Sequence, residues 1–211
     1  MDHQPIKILH IIPSLTGGGA ERQLVDVVSN TSGEEFSHLV CSLGEIDFFA
    51  EEIRKAGHRA LIMGLKGKYP WLAAARRIHK IVREYQPNVL HSWLYNGDIV
   101  ARLVKLRNYG IPLVTSLQSP SYEPESIAAG GWSPTKVGLL RLVDAGLGRI
   151  ANQNYIACSK FVASSAERRL GIDPSRISVI YNSVDPTTLA CDPGEPERIR
   201  EELGISADSF I

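Results

Sequence analysis

The stretch that decides the fold is Ile6–Ile12 (IKILHII), which runs into the glycines Gly17–Gly19 and then into AERQLVDVV. A short apolar run predicts a buried strand, and the glycines end it. Leu24, Val27 and Val28 then fall on one face of a helix. The stretch therefore predicts a strand, a glycine loop and a helix in direct succession.

The same alternation continues to about residue 180. Further apolar runs predict strands at 38–43, 59–63, 89–91, 112–117, 155–158 and 177–180, with a helical pattern in each gap. This alternation predicts an α/β fold with a parallel sheet and helices on both faces. Ligands of such sheets bind beyond the carboxyl ends of the strands, here the loops at 13–19, 91–98 and 118–134. The last loop is long, and long loops are usually functional or disordered.

Charge and cysteine usage limit the possible functions. Lys and Arg total 23, as do Asp and Glu, so the chain has no bulk attraction for nucleic acid. The cysteines Cys41, Cys158 and Cys191 are far apart and not in metal-ligand spacing, which indicates a reducing cytoplasmic compartment. The polar start Met1–Pro5 is not followed by a signal peptide, and the apolar runs are too short for a transmembrane helix.

The glycine loop, with Glu21 and Arg22 after it, predicts a site for a phosphate or another anion. Glycines let the backbone approach a ligand, and the N-terminus of the next helix presents free N–H groups. The simpler alternative is a tight turn in which Glu21 stabilises the first helical turn. The dinucleotide fingerprint matches poorly, because Gly17 and Gly19 fit but Arg22 replaces the third glycine. An NAD-dependent oxidoreductase is therefore the less favoured interpretation.

Two predicted strand ends on the ligand side carry polar residues, His91 and Gln118. A neutral imidazole at His91 could accept a proton from a sugar hydroxyl or hydrogen-bond to it. The alternative is a half-buried histidine, with Asn96 or Asp98 capping the next helix. Gln118 can donate and accept hydrogen bonds but cannot act as a general base. The sequence shows no metal-ligand set, nucleophile elbow, Walker loop or paired-carboxylate motif.

The helical pattern at 134–150 is strongly apolar and carries Lys136, Arg141 and Arg149. It predicts a core helix with a solvated edge or, as an alternative, a helix that docks peripherally on an anionic membrane surface.

The sequence changes character after about residue 185. Residues 191–196 are rich in Pro, Gly and acid and predict a linker, 195–203 a short charged helix, and 209–211 the start of a strand. We therefore predict one domain over 1–185. Residues 186–211 would then hold a linker and the start of a truncated second domain.

In this order the motifs resemble those of the family-four retaining glycosyltransferases of the GT-B fold. The residues that carry the resemblance are Lys7–Ile12, Gly17–Glu21, Pro87–Ser92, Ile111–Ser116, Ala157–Lys160 and Ile177–Asp185. The resemblance implies a Rossmann-like doubly wound parallel sheet, the N-terminal, acceptor-side half of a GT-B enzyme. The second half of such an enzyme holds the nucleotide-sugar.

The resemblance also implies an activity, most similar to that of bacterial enzymes that make surface polysaccharide or glycolipid. A sugar would pass, with retention, from a UDP-, GDP- or dTDP-sugar to a glycan or lipid-linked acceptor. No cofactor or metal would be needed, and the enzyme would lie in the cytoplasm or at the inner face of the membrane. This fragment alone would be inactive, because the donor-binding half is missing.

The family's pattern suggests roles for individual residues. Gly18 and Gly19 match the loop that approaches the donor phosphates. His91 matches the region that lines the acceptor side. The other residues expected on that side are Trp93, Asn96, Ser119 and Tyr122.

Two positions depart from the family's pattern. Gln118 falls where many relatives carry a histidine near the donor sugar, so a catalytically degenerate binding or regulatory protein is the alternative function. Asn182–Asp185 resembles an Asn-Gly-Val-Asp hinge between the two domains, with Ser183 in place of the glycine. Front-face attack, in which the donor phosphate helps to take the proton, would need no strong base from this half.

Overall fold

One parallel sheet organises the protein. The computed structural model describes residues 4–31, 33–67, 70–184, 192, 194–206 and 209. Its strands are β1 (Ile6–Ile12), β2 (Phe36–Ser42), β3 (Arg59–Ile62), β4 (Val89–Trp93), β5 (Leu113–Leu117), β6 (Asn154–Ala157) and β7 (Ile177–Val179). Within the described residues these seven strands pair in the order β3-β2-β1-β4-β5-β6-β7, all parallel. The predicted fold class, a doubly wound Rossmann-like sheet, is confirmed.

Helices connect the strands and cover the sheet. They are α1 (Gly19–Ser29), α2 (Ala50–Lys55), α3 (Trp71–Tyr85), α4 (Leu94–Lys105), α5 (Pro124–Ala129), α6 (Pro134–Ala151), α7 (Lys160–Leu170) and α8 (Glu195–Leu203). On one face of the sheet, Leu9 packs with Ile78 of α3 and Val104 of α4. On the other face, Ile12 packs with Leu24 of α1. Alternate residues of β1 therefore serve two separate cores, as a strand buried on both faces requires.

Two differences from the prediction bear on the candidate site. The expected loop at 118–134 contains the helix α5, which begins at Pro124; proline at a first helical position has a suitable φ and needs no N–H partner there. The strand β4 runs two residues beyond His91, to Trp93, because α4 follows it without a loop. His91 therefore lies within the strand and not at its end.

The C-terminal part is described only in pieces. The helix α8 occupies the residues that were expected to form it. The predicted domain boundary between 185 and 186, together with Asp185, lies outside the described residues and stays a prediction.

Candidate functional site

A cavity of about 560 Å³ lies at the carboxyl edge of the sheet, where β4 and β5 end. Parts of α4, α6 and α7 and the segment after β5 line it, and we call it the edge cavity. Its main apolar residues are Leu94, Leu117, Pro120, Val137, Leu140, Val162 and Leu170. Its polar residues include Asn96, Asp98, Ser116, Gln118, Ser119, Tyr122 and Asp144. Apolar walls with a few convergent polar groups are typical of a small-molecule site.

The start of α4 fixes one side of the edge cavity. Leu94 begins α4 in the left-handed region, at φ 60°, a conformation that is strained for leucine and concentrates at functional sites. A Cβ atom on Gly97 would lie 2.6 Å from the carbonyl oxygen of Ile11. Only glycine therefore lets α4 pack this closely on β1, and the close packing buries Asp98.

Asp98 lies in the second turn of α4, lines the edge cavity and is only 6% exposed. Burial raises the pKa of its carboxyl to about 7, although the charge of Arg102 opposes the shift. Asp98 Oδ1 has no hydrogen-bond partner among the described residues. From the sequence, Asp98 is expected only as a helix cap. That expectation is wrong because α4 begins at Leu94. The sequence signal of a buried carboxyl was an acidic residue followed directly by the apolar run Ile99-Val100-Ala101.

A chain of buried hydrogen bonds runs from Arg102 to Ser92, which lies beside Asp98. Arg102 Nε donates to Gln153 Oε1 at 3.0 Å, and Gln153 Nε2 donates to Thr115 Oγ1 at 3.0 Å. Thr115 can then donate to Ser92 Oγ, 2.8 Å away, which leaves the Ser92 hydroxyl free to bond the Asp98 carboxyl. The Asp98 carboxyl therefore lies beside a buried network whose members are already bonded to one another.

Arg102 also fixes the far side of the edge cavity. It is 1% exposed and forms a buried ion pair with Asp144 of α6. The Tyr122 hydroxyl donates to Asp144 Oδ2 at 2.6 Å, and burial together with this carboxylate raises the pKa of Tyr122. The predicted acceptor residue Tyr122 is thus neutral and held at the cavity wall.

The segment after β5 is tied to α7 as well. Glu123 accepts hydrogen bonds from Arg168 at 2.8 Å and from Arg169 at 2.7 Å. Bonds with Arg169 hold the pKa of Glu123 low, at about 2. The long segment predicted to be an open loop is therefore anchored to α6 through Tyr122 and to α7 through Glu123.

Three other predicted site residues meet at the edge cavity. Asn96 Oδ1 accepts from Trp71 Nε1 at 2.9 Å, and Ser119 Oγ lies 2.8 Å from Ser121 Oγ. Gln118 Oε1 accepts from Asn182 Nδ2 at 3.1 Å. Gln118, which stands where many relatives carry a histidine, is therefore joined to the predicted hinge.

Trp93 is a correction to the predicted acceptor side. Its ring is 2% exposed and packs in the core with α1 and α2, outside the lining of the edge cavity.

Residues two apart on a strand share a face, so His91 points to the same side as Trp93. His91 Nε2 lies 2.8 Å from Ser116 Oγ, which does line the cavity. Burial lowers the pKa of His91 to about 3, so its imidazole is neutral.

His91 borders a chain of buried histidines on this face. Trp93 Nε1 donates to His10 Nδ1 at 3.3 Å, so the neutral His10 ring carries its proton on Nε2. His10 then donates to His38 Nδ1 at 2.9 Å, and His38 Nε2 to Thr31 Oγ1 at 2.7 Å. Burial lowers the pKa of both rings, that of His38 to about 4. The chain is a satisfied polar part of the core.

In the glycine loop, the side chains of Glu21 and Arg22 bond other residues of the protein. Glu21 is buried, accepts from Thr16 Oγ1 at 2.6 Å and lies over Gly18, where a Cβ atom would meet its Oε2 at 2.5 Å. Arg22 bonds Asp26 and Glu52, and the bonds with Glu52 raise its pKa. In this arrangement Arg22 joins α1 to α2 and its charge is already paired. A Cβ atom on Gly19 would meet nothing within 4 Å, so the loop backbone at Gly19 is the part that a phosphate could approach.

The helix α6 has an apolar outer surface. Leu139, Leu142 and Ile150 are more than half exposed, as is Trp132 just before the helix. Its buried residues are Val137, Asp144, Gly148 and Ala151. Among the described residues, no helix combines the length and apolar character needed to cross a membrane, and no group of three or more His, Cys, Asp or Glu side chains is placed to hold a metal ion.

Comparison with known families gives one match that spans most of the chain. The model of Glycosyltransferase Family 4 matches residues 17–188. No curated protein sequence matches the chain significantly.

Solved structures show the same architecture. HepE (Alr3699) from Anabaena, in complex with UDP and glucose, matches with a TM-score of 0.75 and 20% identity over 94% of this chain and 50% of that one. A glycosyltransferase from Rickettsia africae matches with a TM-score of 0.65 and 18% identity, over 98% and 51%. The UDP-GlcNAc 2-epimerase of Neisseria meningitidis, bound to UDP-GlcNAc, matches with a TM-score of 0.62 and 10% identity, over 96% and 55%. The chain thus spans about half the length of these structures, and at such identities the likeness shows the fold alone.

Proposed function

Because the chain belongs to glycosyltransferase family 4 and has the architecture of half a GT-B enzyme, we propose that it forms the acceptor-side domain of a retaining glycosyltransferase. The full-length enzyme transfers a sugar from a nucleotide-sugar to a glycan or lipid-linked acceptor. The products belong to surface polysaccharide or glycolipid synthesis. The observation that carries the proposal, beyond the family, is the edge cavity at the carboxyl end of the sheet.

The edge cavity is suited to an acceptor sugar. Tyr122, Asn96 and Ser119 offer hydroxyl and amide groups around its apolar walls. Sugars combine apolar ring faces with many hydroxyls, so a site for them needs both kinds of surface. Buried ion pairs and the Glu123 contacts hold these groups before any ligand enters, which lowers the ordering cost of binding.

The glycine loop is assigned to the donor phosphates. Gly19 begins α1, which has no side-chain cap, and the space beside Gly19 is open, so this end of the loop can serve an anion. HepE, which has the same fold, was solved with UDP and glucose. The base and sugar of this chain's own donor would be read by the other half of the enzyme.

The proposed reaction needs no strong general base from this half of the enzyme. With a pKa of about 3, the neutral His91 is too weak a base to hold a proton near pH 7. Gln118 keeps its amide N–H groups for a ligand oxygen while its Oε1 accepts from Asn182. Gln118 then orients a reacting group directly, and His91 acts only through Ser116, which lines the cavity. The donor phosphate takes the acceptor proton in a front-face attack.

The outer surface of α6 is assigned to peripheral membrane contact, over residues 134–150. The exposed Leu139 and Leu142 lie near the cations Lys136 and Arg141, a combination that binds anionic lipid surfaces. The same helix lines the edge cavity through Val137. A lipid-linked acceptor could therefore reach the cavity along α6.

The test uses the full-length protein with a panel of UDP-, GDP- and dTDP-sugars and a membrane-lipid extract. Nucleotide release and product mass are followed for each donor. Release with one donor and a matching mass gain on a lipid or glycan is the expected result, with the anomeric configuration of the donor kept in the product. Absence of release with every donor would contradict the proposal and favour a protein that only binds.

A further inference from the structure

We propose that Asp98 binds a hydroxyl group of the acceptor in the edge cavity and so helps to select the acceptor, an inference that rests on the proposed function. Asp98 lines the cavity, and its Oδ1 is unpartnered among the described residues. A buried oxygen without a partner is costly. Oδ1 itself is closed off from solvent, so a ligand meets the carboxyl group where Asp98 lines the cavity. A hydroxyl bound there gives the carboxyl group a hydrogen bond that it lacks among the described residues.

The surroundings of Asp98 are ordered before binding. The chain from Arg102 through Gln153 and Thr115 leads to Ser92, whose hydroxyl interacts with the Asp98 carboxyl and lowers its pKa. The carboxyl group therefore lies against a buried network that is already bonded. Such preorganisation is what a specificity residue needs.

The charges around Asp98 indicate which ligand group fits. Arg102 of α4 is a buried cation paired with Asp144 of α6, and Tyr155 of β6 lies near both. With its pKa near 7, Asp98 is present in both protonation states at neutral pH. A hydroxyl can donate to the carboxylate and accept from the carboxylic acid, so it fits both states. An ammonium group can only donate, so it would leave the O–H of the carboxylic acid without an acceptor. A phosphate would meet two aspartates.

The rest of the lining indicates the body of the ligand. Leu94, Leu117, Val137 and Leu140 surround the polar groups, so the hydroxyl must be carried by a group with apolar faces. A sugar ring with an attached alkyl chain has this character. Trp132 lies at the cavity as well and provides a fluorescent reporter of binding.

The experiment titrates the full-length protein with octyl β-D-glucoside, octyl β-D-galactoside and octyl α-D-mannoside, below their micelle concentrations, and follows tryptophan fluorescence. At least one glycoside is expected to bind, and Asp98→Ala to weaken it about 10- to 100-fold, the loss typical of a buried polar contact. Trp132→Phe should remove the signal. Glu45→Gln, in the exposed pair with Lys66, is the matched control and should bind like the wild type.

Monodeoxy analogues of the bound glycoside locate the hydroxyl. One analogue should bind the wild type about 10-fold or more weakly yet bind Asp98→Ala no worse than the parent glycoside does. Asp98→Asn should unfold at a temperature no lower than the wild type, because it removes a buried ionisable group, whereas a purely structural role for Asp98 predicts a lower temperature. No binding of any glycoside by the wild type, or equal binding by Asp98→Ala, would overturn the proposal.

Nucleotide release from the donor panel is measured on the same samples. Glycoside binding that depends on Asp98, without release from any donor, would remove the proposed transferase function and leave the hydroxyl site standing. Nucleotide release together with glycoside binding that does not depend on Asp98 would support the transferase function and overturn the hydroxyl site.

Discussion

The Tyr122 hydroxyl donates a 2.6 Å hydrogen bond to Asp144 Oδ2, and the same aspartate holds the buried guanidinium of Arg102. Three segments of the chain meet in this contact: α4, α6 and the segment after β5. The wall of the edge cavity and the packing of two helices therefore depend on one buried ion pair.

Loss of Arg102 should be strongly destabilising. Arg102→Leu leaves Asp144 buried without its cation, which typically costs about 3–5 kcal/mol. Urea unfolding monitored by circular dichroism measures the change. Lys66→Ala, which removes an exposed ion pair with Glu45, is the control and should change the free energy of unfolding by less than about 1 kcal/mol. Equal effects of the two substitutions would contradict this account of the network.

Gly97 should tolerate no side chain. Gly97→Ala places a Cβ atom 2.6 Å from the backbone oxygen of Ile11, so α4 must move, at a cost of about 1–3 kcal/mol. Gly146→Ala is the matched substitution on α6, where a Cβ atom meets nothing within 4 Å. It should stabilise the protein by about 0.5–1 kcal/mol, since alanine favours helix. Thermal unfolding of the pair should show shifts of opposite sign.

The buried histidines should make stability depend on pH. The pKa of His38 falls from 6.5 in the unfolded chain to about 4 in the fold, so the unfolded state binds the proton more tightly. Stability from this group is full above pH 6.5 and is lost as the pH falls towards 4.

The test compares the wild type with His38→Gln at pH 7.5 and pH 5. The wild type should lose about 1–2 kcal/mol more than the variant on acidification. The comparison is made between variants because Asp98, with its raised pKa, stabilises the fold as the pH falls from 7. His79→Gln, whose side chain contacts Asn108 on the other face, should behave like the wild type. The prediction fails if His38→Gln is as acid-sensitive as the wild type.

Gln23 should hold the segment that leads out of the domain. Its amide donates to the Ser183 carbonyl at 2.7 Å and accepts from the Ser183 N–H at 3.1 Å. In Gln23→Ala, hydrogen exchange at the Ser183 amide should speed up about 5- to 10-fold, the effect of losing a net bond of about 1 kcal/mol. The Ile180 amide, which bonds Ala157, is the internal control. Unchanged exchange at Ser183 would show that Gln23 does not restrain the segment.

The sheet could be predicted from sequence because its signals are local. Apolar runs such as Ile6–Ile12, and the glycines and prolines that end them, define elements whose order predicts a parallel sheet. The glycosyltransferase family could likewise be inferred from ordered motifs. The helix α5 was missed because its six residues, beginning at Pro124, are too few to show a helical period.

The site was less predictable because it depends on contacts between distant residues. Trp93 follows the candidate strand end at His91, and only the observed strand length reveals that its side chain points into the core. Asp98 looks like a helix cap until the start of α4 is known. Neither the Arg102–Asp144 pair nor the bonds from Glu123 to α7 has a local sequence signature, since 42 or more residues separate the partners.

We propose that the edge cavity receives the acceptor of a glycosyl transfer. A larger side chain that fills this cavity in the full-length protein tests the proposal, with transfer to a lipid extract followed alongside donor hydrolysis by water. Ala166 of α7 lines the cavity, whereas Ala163 on the same helix is outside its lining. The account predicts that Ala166→Phe abolishes transfer but keeps donor hydrolysis, while Ala163→Phe keeps both. Undiminished transfer by Ala166→Phe would contradict it.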